Sequence, residues 1–308
     1  MLKSLIKKIL KNKYLKVLYD IVRSTIKKDF FGMSSEMGFI LLAGFFTFLL
    51  FLMSVFGWMG NKSYMDPIMI VLSNMIPRQA MELIHSVLNQ TMIFNHGKIV
   101  AIAGITMSIV LSANAIAVVL KGLNKAYNVE ETRSFIYTRI LSFLMMLVDT
   151  LILFLTINII IFGKIIVLFL IQKFHISGPI AVVILTLRWP VAFLALYLMA
   201  FLSYYILPDL KGNESFKRKS ALQGTAFFTV FWLVGSWGFS IYVNNFSTYN
   251  MLYGAIGAFF ILMIWLYYTS IVLLIGGEIN SRVYNQLERK SQEIKQEIED
   301  LRKETFKK

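Results

Sequence analysis

Residues 37–59 read MGFILLAGFFTFLLFLMSVFGWM, 23 residues without a charged side chain. A bilayer core of ~30 Å is crossed by about 20 apolar residues at a helical rise of ~1.5 Å, so this run predicts a transmembrane helix. Residues 99–120, IVAIAGITMSIVLSANAIAVVL, repeat the pattern between Lys98 and Lys121. Further runs cover 140–163, which contains Asp149, and 180–207, which contains Arg188 and Pro190. The last two, 221–243 and 252–277, are separated by the short polar stretch Asn244 to Met251, which predicts an antiparallel pair of helices. Residues 165–187 are mostly apolar but interrupted by Gln172, Lys173, His175 and Gly178–Pro179. They read as the connection between spans three and four, with span three running past the membrane surface as the variant. The chain therefore reads as an all-α integral membrane protein: a basic segment 1–36, a six-helix domain 37–278 and a charged tail 279–308.

Composition supports lipid as the solvent. Of the 308 residues 57% are hydrophobic and 16% charged, and the mean hydropathy is +0.67. Soluble domains hold about 45–50% apolar and about 25% charged residues. The absence of cysteine excludes disulfide scaffolds, Cys-ligated zinc, iron–sulfur clusters and thiol nucleophiles. The three histidines, His85, His96 and His175, are scattered, and neither HExxH nor GxxxxGK[ST] occurs. No catalytic residue, metal site or cofactor is predicted.

The net charge of +14 resembles a nucleic-acid footprint until its cations are sorted by side. Residues 1–36 carry nine Lys and Arg, 121–139 four, 208–220 four and the tail from 279 eight, which places 25 of 31 on one face. The opposite face carries five: Lys62, Arg78, Lys98, Lys164 and Lys173. Short translocated loops are poor in Lys and Arg, so both termini are predicted in the cytoplasm and no nucleic-acid partner is needed.

The ends have their own patterns. Leu2, Leu5, Ile6, Ile9 and Leu10, then Val17, Leu18, Ile21 and Val22, recur at helical spacing among lysines. This segment reads as a helix lying on the inner leaflet or as a basic helix packed on the protein's own cytoplasmic face. In the tail Leu287, Ile294 and Leu301 are seven apart, with Ser291 and Ile298 between them. A solvated helical extension is expected; a short coiled coil, and with it a homo-oligomer, is the alternative. The first external loop, 60–98, begins a helix at Asp66–Pro67 and carries a stripe of Met81, Ile84, Val87 and Leu88, so amphipathic helices over the outer mouth are expected.

Function is sought at polar groups inside the spans. An ionisable residue there is expensive and tends to face a polar interior or pathway. Asp149 lies about 13–14 Å from the cytoplasmic end of its span, and Arg188 about 12 Å from the outer end of the next. Their comparable depth suggests that they pair. A pair that only fixes helix register, an Arg188 that snorkels to the interface, and an Arg188 that holds a lipid phosphate are the competing readings. Asn114, Asn158 and Gln223 add amides that bond between helices or line a cavity. Glu278 closes the last span, where it caps a helix or pairs with a loop arginine such as Arg133. Gly224, Gly235, Gly238, Gly254 and Gly257 thin the last two spans and predict close packing.

Motifs sharpen this picture. The loop Leu123-Asn124-Lys125-Ala126-Tyr127-Asn128-Val129-Glu130-Glu131-Thr132-Arg133 resembles the LNxxYxVxExR pattern of the YihY/BrkB family of bacterial inner-membrane proteins. Leu207-Pro208 is similar to the end of that family's fourth span. Tyr253-Gly254-Ala255-Ile256-Gly257-Ala258, Trp265-Leu266-Tyr267 and Gly276-Gly277-Glu278-Ile279-Asn280 resemble its last helix. The resemblance covers 25–285 and implies a six-helix protein of the bacterial cell membrane, with Asn124, Tyr127, Arg133, Pro208, Tyr253, Gly254, Gly257, Trp265, Gly276 and Glu278 as family positions. A tyrosine and a proline found in the first span of many relatives are missing from Ile40–Phe48. An older label of tRNA-processing ribonuclease attached to the family is regarded as a mistake.

Three function classes follow. A transporter or flippase-like lipid handler, acting on an anionic amphiphile whose headgroup meets the basic inner face, is the leading expectation. A scaffold or regulatory membrane protein, using its charged ends, is the alternative. A ribonuclease is the least supported, since the cytoplasmic side offers only scattered acids and no histidine.

Overall fold

A computed structural model describes residues 13–58, 97–174, 178–245 and 247–305. Seven helices occupy them: α1 Lys13–Lys27, α2 Phe30–Trp58, α3 Gly97–Tyr127, α4 Phe135–Phe174, α5 Gly178–Ile206, α6 Glu214–Asn245 and α7 Ser247–Thr305. The amphipathic helices and histidines expected in 60–96, and the apolar positions of residues 2–10, lie outside the described residues.

Among the described residues four stretches are long and apolar enough to cross a membrane: Ile109–Tyr127, Phe135–Leu153, Glu214–Ile241 and part of Phe259–Lys303. Phe30–Gly44 and Pro190–Ile206 are shorter apolar helices. Burial is inverted relative to a water-soluble bundle. Phe135, Ile136, Ile140, Leu144 and Leu151 of α4 and Val230, Val234 and Trp237 of α6 point outward, as a lipid solvent allows.

The helices close a ring: α2 packs on α3, α3 on α4, α4 on α5, α5 on α6, α6 on α7 and α7 back on α2. α7 also crosses to α3, and α1 lies against α7 and α2. The core of Phe30, Met37, Leu123, Tyr204, Leu207, Ala221, Phe228 and Leu274 sits where these helices converge, near the end that carries loops 128–134 and 207–213.

Local signals set the boundaries. At Asp29 the backbone turns left-handed (φ 51°), which ends α1, and its carboxylate then accepts the Gly32 N–H to cap α2 at 3.1 Å. Asn128 (φ 59°) ends α3: its N–H reaches the Lys125 carbonyl and that of Val129 reaches Asn124, the bonding of a Schellman turn. Ser134 caps α4 through the Tyr137 N–H, and Asn213 caps α6 through the Ser215 N–H.

The last two helices form the antiparallel pair expected from their short link, with Trp232 beside Thr269 and Ser236 beside Trp265. Of the glycines, Gly224 and Gly235 do sit at close approaches, to Gly276 and Tyr268. Gly238 does not: an added Cβ there meets open space, because its face of α6 points outward. Gly254 and Gly257 lie in a part of α7 whose surroundings are not described.

Within 165–187, α4 continues to Phe174 and α5 starts at Gly178, which fits a third span that runs past the membrane surface before the link to the fourth. At the chain end, α7 continues without a break as an exposed charged helix to Thr305. α1 packs on the protein along one face only. One side docks on α7 through Asp20 and Ser24, while Leu15, Leu18, Val22 and Ile26 form an exposed apolar stripe.

Candidate functional site

The end bearing the two loops is held by two polar clusters. In the first, Arg133 grips Glu131 bidentately, Nε to Oε1 at 2.6 Å and Nη2 to Oε2 at 2.7 Å, and Nη2 also donates to the Leu207 carbonyl just past the end of α5 (2.7 Å). Glu131 accepts a further bond from Asn124 Nδ2 at 2.7 Å. Asn124 Oδ1 in turn accepts the Asp209 N–H at 2.9 Å, and Asp209 accepts both the N–H and hydroxyl of Thr132. The circuit ties α3, its following loop and the end of α5 into one unit. A planar guanidinium is suited to it because it serves a carboxylate and a helix-terminal carbonyl together.

The second cluster surrounds Glu278, whose side chain is 4% exposed. Lys28 Nζ donates to it at 2.7 Å and to the Ala126 carbonyl at 2.7 Å, which satisfies an end of α3. Arg282, one turn along α7, donates at 2.9 Å and reaches back to the Asp20 carbonyl and the Ser24 hydroxyl of α1. Glu278 therefore does not pair with Arg133. The acid faces the α1–α2 junction, and Arg133 is fully engaged in its own loop.

Tyrosines and an amide knit the helices between the clusters. Tyr127 donates to the Tyr204 carbonyl, Tyr204 donates to Leu273, and Ser281 donates to Tyr127. Asn280 accepts the Gly224 N–H across the α6–α7 contact. Gly224 and Gly276 allow this approach, since any side chain on either would overlap the other helix or Tyr204.

Beside the first cluster a groove of 560 Å³ opens between the end of α3 and the start of α4. Lys121, Lys125 and Arg139 line it, with Asn124, Asn128 and Thr138 as neutral polar groups and Ala117, Leu120 and Phe135 as apolar wall. Lys121 meets Glu36 of α2 at 3.0 Å, both partners largely exposed. Arg139 donates to Asn114 and lies over the Phe135 ring at 5.0 Å.

The expected intramembrane residues have separate fates. Asp149 is half-buried in α4, and its Oδ1 is buried without a hydrogen-bond partner among the described residues. The side chain of Arg188, and hence its pairing with Asp149, lies outside the described ones, as does that of Asn158. Asn114 serves Arg139, whereas Gln223 is exposed on α6. Among the family positions, Asn124, Tyr127, Arg133, Gly276 and Glu278 belong to the clusters, Pro208 is buried beside Asp209, and Trp265 packs edge-on against Trp232. Tyr253 lies in the part of α7 whose side chains are not described.

Sequence reasoning missed Lys28, Tyr204, Asp209, Asn280 and Arg282 as members of the site. Asp209 directly follows Leu207-Pro208, and Asn280 ends the matched motif, so both stood next to recognised signals. The contacts of Lys28 and Tyr204 carry no local signature.

The loop cluster makes acid lability expected. Arg133 holds Glu131 below its ordinary 4.5, with the Asn124 bond assisting. Burial raises the Asp209 carboxyl, but Thr132 and Arg133 outweigh it and leave it below 3.8. Groups depressed in the folded state stabilise it above their unfolded values, and this support is lost as pH falls through the folded ones. Hydrogen-exchange protection at Thr132 and Arg133, whose N–H groups bond these two carboxylates, is expected to hold at neutral pH and fall below about pH 4. Protection that persists at pH 2 would show that the carboxylates do not hold the loop.

Comparison with known proteins agrees with this architecture. The family described as virulence factor BrkB matches residues 21–300. The chain is similar to a Bacillus subtilis protein named putative ribonuclease-like protein YfkH, 29% identical over 82% of this chain and 90% of that one. It is also similar to a UPF0761 membrane protein of Vibrio parahaemolyticus, 25% identical over 70% of this chain and 65% of that one. A third similarity is to UPF0761 membrane protein YihY of Salmonella typhimurium, 26% identical over 34% of this chain and 39% of that one. No solved structure matches. With a family match running almost from end to end, and with helices that turn apolar side chains outward, the chain is a membrane protein that belongs to the BrkB family.

Proposed function

We propose that the chain is a six-span protein of the bacterial inner membrane, with both termini in the cytoplasm, that moves or shields an anionic amphiphile and catalyses no reaction. Asp149 carries this reading. A carboxyl near the middle of a span costs about 2.5–3.5 kcal/mol to insert, and here one oxygen is buried without a hydrogen-bond partner among the described residues. A helix used only for packing gains nothing from such a group. A pathway for polar headgroups needs one. The exposed members of the 25 cations assigned to the cytoplasmic face would gather anionic lipid at about 1 kcal/mol each near the surface, and the exposed stripe of α1 would rest in the same leaflet. No cofactor enters the scheme.

The test is lipid movement in vesicles containing the purified chain, read with a headgroup-accessible fluorescent phosphatidylglycerol and an impermeant quencher. Wild type should exchange the probe between leaflets. Asp149→Asn, which keeps the size and shape of the side chain but removes the charge, is expected to fall to the rate of protein-free vesicles. An Asp149→Asn protein as fast as wild type removes the reading.

The exposed extension of α7 to Thr305 favours a scaffold role as the second reading. Deleting residues 285–308 separates the two, because a carrier retains exchange and a scaffold loses its partner. Ribonuclease activity, named for the Bacillus subtilis relative, has less support. Among the described residues no group of three His, Cys, Asp or Glu side chains is placed to hold a catalytic metal.

A further inference from the structure

We infer that the groove between α3 and α4 is a binding site for the phosphate of a phospholipid headgroup, held by Lys121, Lys125 and Arg139; this rests on the lipid-handling reading and names its point of entry. The groove's charge is the first argument. Of its two carboxylates, Glu131 is already committed to Arg133 and Asn124, and Glu130 is exposed at the rim. The Lys121–Glu36 ion pair is largely exposed and so stabilises little, which leaves the lysine free to turn to a ligand. Lys125 makes no competing ion pair among the described residues.

Arg139 supplies the geometry. One arm of its guanidinium is held by Asn114 and its face by the Phe135 ring, so the group is oriented while its remaining donors stay open to the groove. A fixed planar fork matches the oxygens of a phosphate better than a mobile ammonium does. The start of α4 adds the positive end of a 40-residue helix at the same place.

The surroundings select a lipid over a free anion. Phe135 lines the groove and is 71% exposed, and Ile136, Ile140 and Leu144 continue an outward apolar track along α4 from its mouth. A headgroup in the groove thus leaves its acyl chains against the surface that already faces lipid. Asp149 lies ten residues beyond Arg139 on that helix, about 15 Å deeper, so the groove stands at the entrance of the proposed path.

Native mass spectrometry of the full chain in neutral detergent tests the site. The probes are phosphatidylglycerol, diacylglycerol with the same tails, and inorganic phosphate. Wild type should hold one phosphatidylglycerol in preference to diacylglycerol, and equimolar phosphate should leave that adduct in place. Each cation near a phosphate contributes about fivefold, so Lys121→Ala/Lys125→Ala/Arg139→Gln is expected to bind about 100-fold more weakly. The exposed pair Lys121→Ala/Lys125→Ala, which leaves the Arg139–Asn114 contact intact, should lose about 25-fold even if the triple variant loosens the helices. Lys211→Ala/Arg218→Ala/Lys219→Ala, in the 207–213 loop and the first turns of α6, should bind as wild type. Unchanged binding in the groove variants, equal loss in the control variant, equal retention of diacylglycerol, or displacement by phosphate overturns the site. Asp149→Asn should keep the adduct, and a wild-type protein that binds phosphatidylglycerol in the groove but does not move it refutes the transport reading alone. One that moves lipid with unchanged binding in the groove variants refutes this inference alone.

Discussion

Gly224→Ala is expected to destabilise the folded chain by about 2–3 kcal/mol, while Gly238→Ala, fourteen positions along the same helix, is neutral or stabilising by up to about 1 kcal/mol. The two glycines have the same helical propensity and differ only in what faces them. An added methyl at 224 would overlap the Gly276 carbonyl oxygen and the Asn280 amide. The former is backbone and cannot turn aside, so α6 and α7 must separate. Separation also breaks the Gly224 N–H bond to Asn280 and exposes the contact of Tyr204 with α7. At 238 the methyl meets no atom within 4 Å. Thermal unfolding of the two variants in one detergent checks the contrast. Equal midpoints would mean that close approach of α6 and α7 does not limit stability.

Lys28→Met/Arg282→Met is expected to cost about 3–5 kcal/mol, because it strands a carboxylate that is 4% exposed. It also releases the Ala126 carbonyl at the end of α3 and unties α1 from α7. Adding Glu278→Met should restore most of the loss, since an apolar cluster of similar volume replaces the charged one. The rescue is the informative result: a triple variant as unstable as the double would show that α1 docking, and not the buried charge, dominates. Glu278→Gln alone should be milder than the double variant, because Lys28 and Arg282 are 19% and 29% exposed and can be hydrated.

Hydropathy made most of the helices legible because lipid imposes a minimum length on an apolar run and leaves little irregular backbone. Hydropathy alone leaves open how far the third span runs into 165–187; α4 carries it to Phe174, through Gln172 and Lys173. The Asn124–Arg133 motif showed that the loop mattered without showing why. Its partners, Leu207 and Asp209, lie 74 and 77 residues away, and no periodicity encodes which carbonyl an arginine will cap. Glu278 was recognised and given the wrong partner for the same reason: Lys28 is 250 residues distant and stands on a helix hinge set by Asp29. Gly238 and Gly224 could not be told apart in sequence, because the helical face each occupies is decided by the neighbouring helix. The groove was invisible as a unit, although every cation lining it had been counted toward the inner face.

The central claim is that Asp149 borders a path for a polar group and is not a structural charge. A cryo-EM map of the full chain in a nanodisc containing phosphatidylglycerol tests it most directly. A water- or lipid-filled cavity bordered by Asp149 and Arg188 and continuous with the α3–α4 groove is the expected result. A direct Asp149–Arg188 ion pair within 4 Å, enclosed by packed side chains with no such cavity, would contradict it.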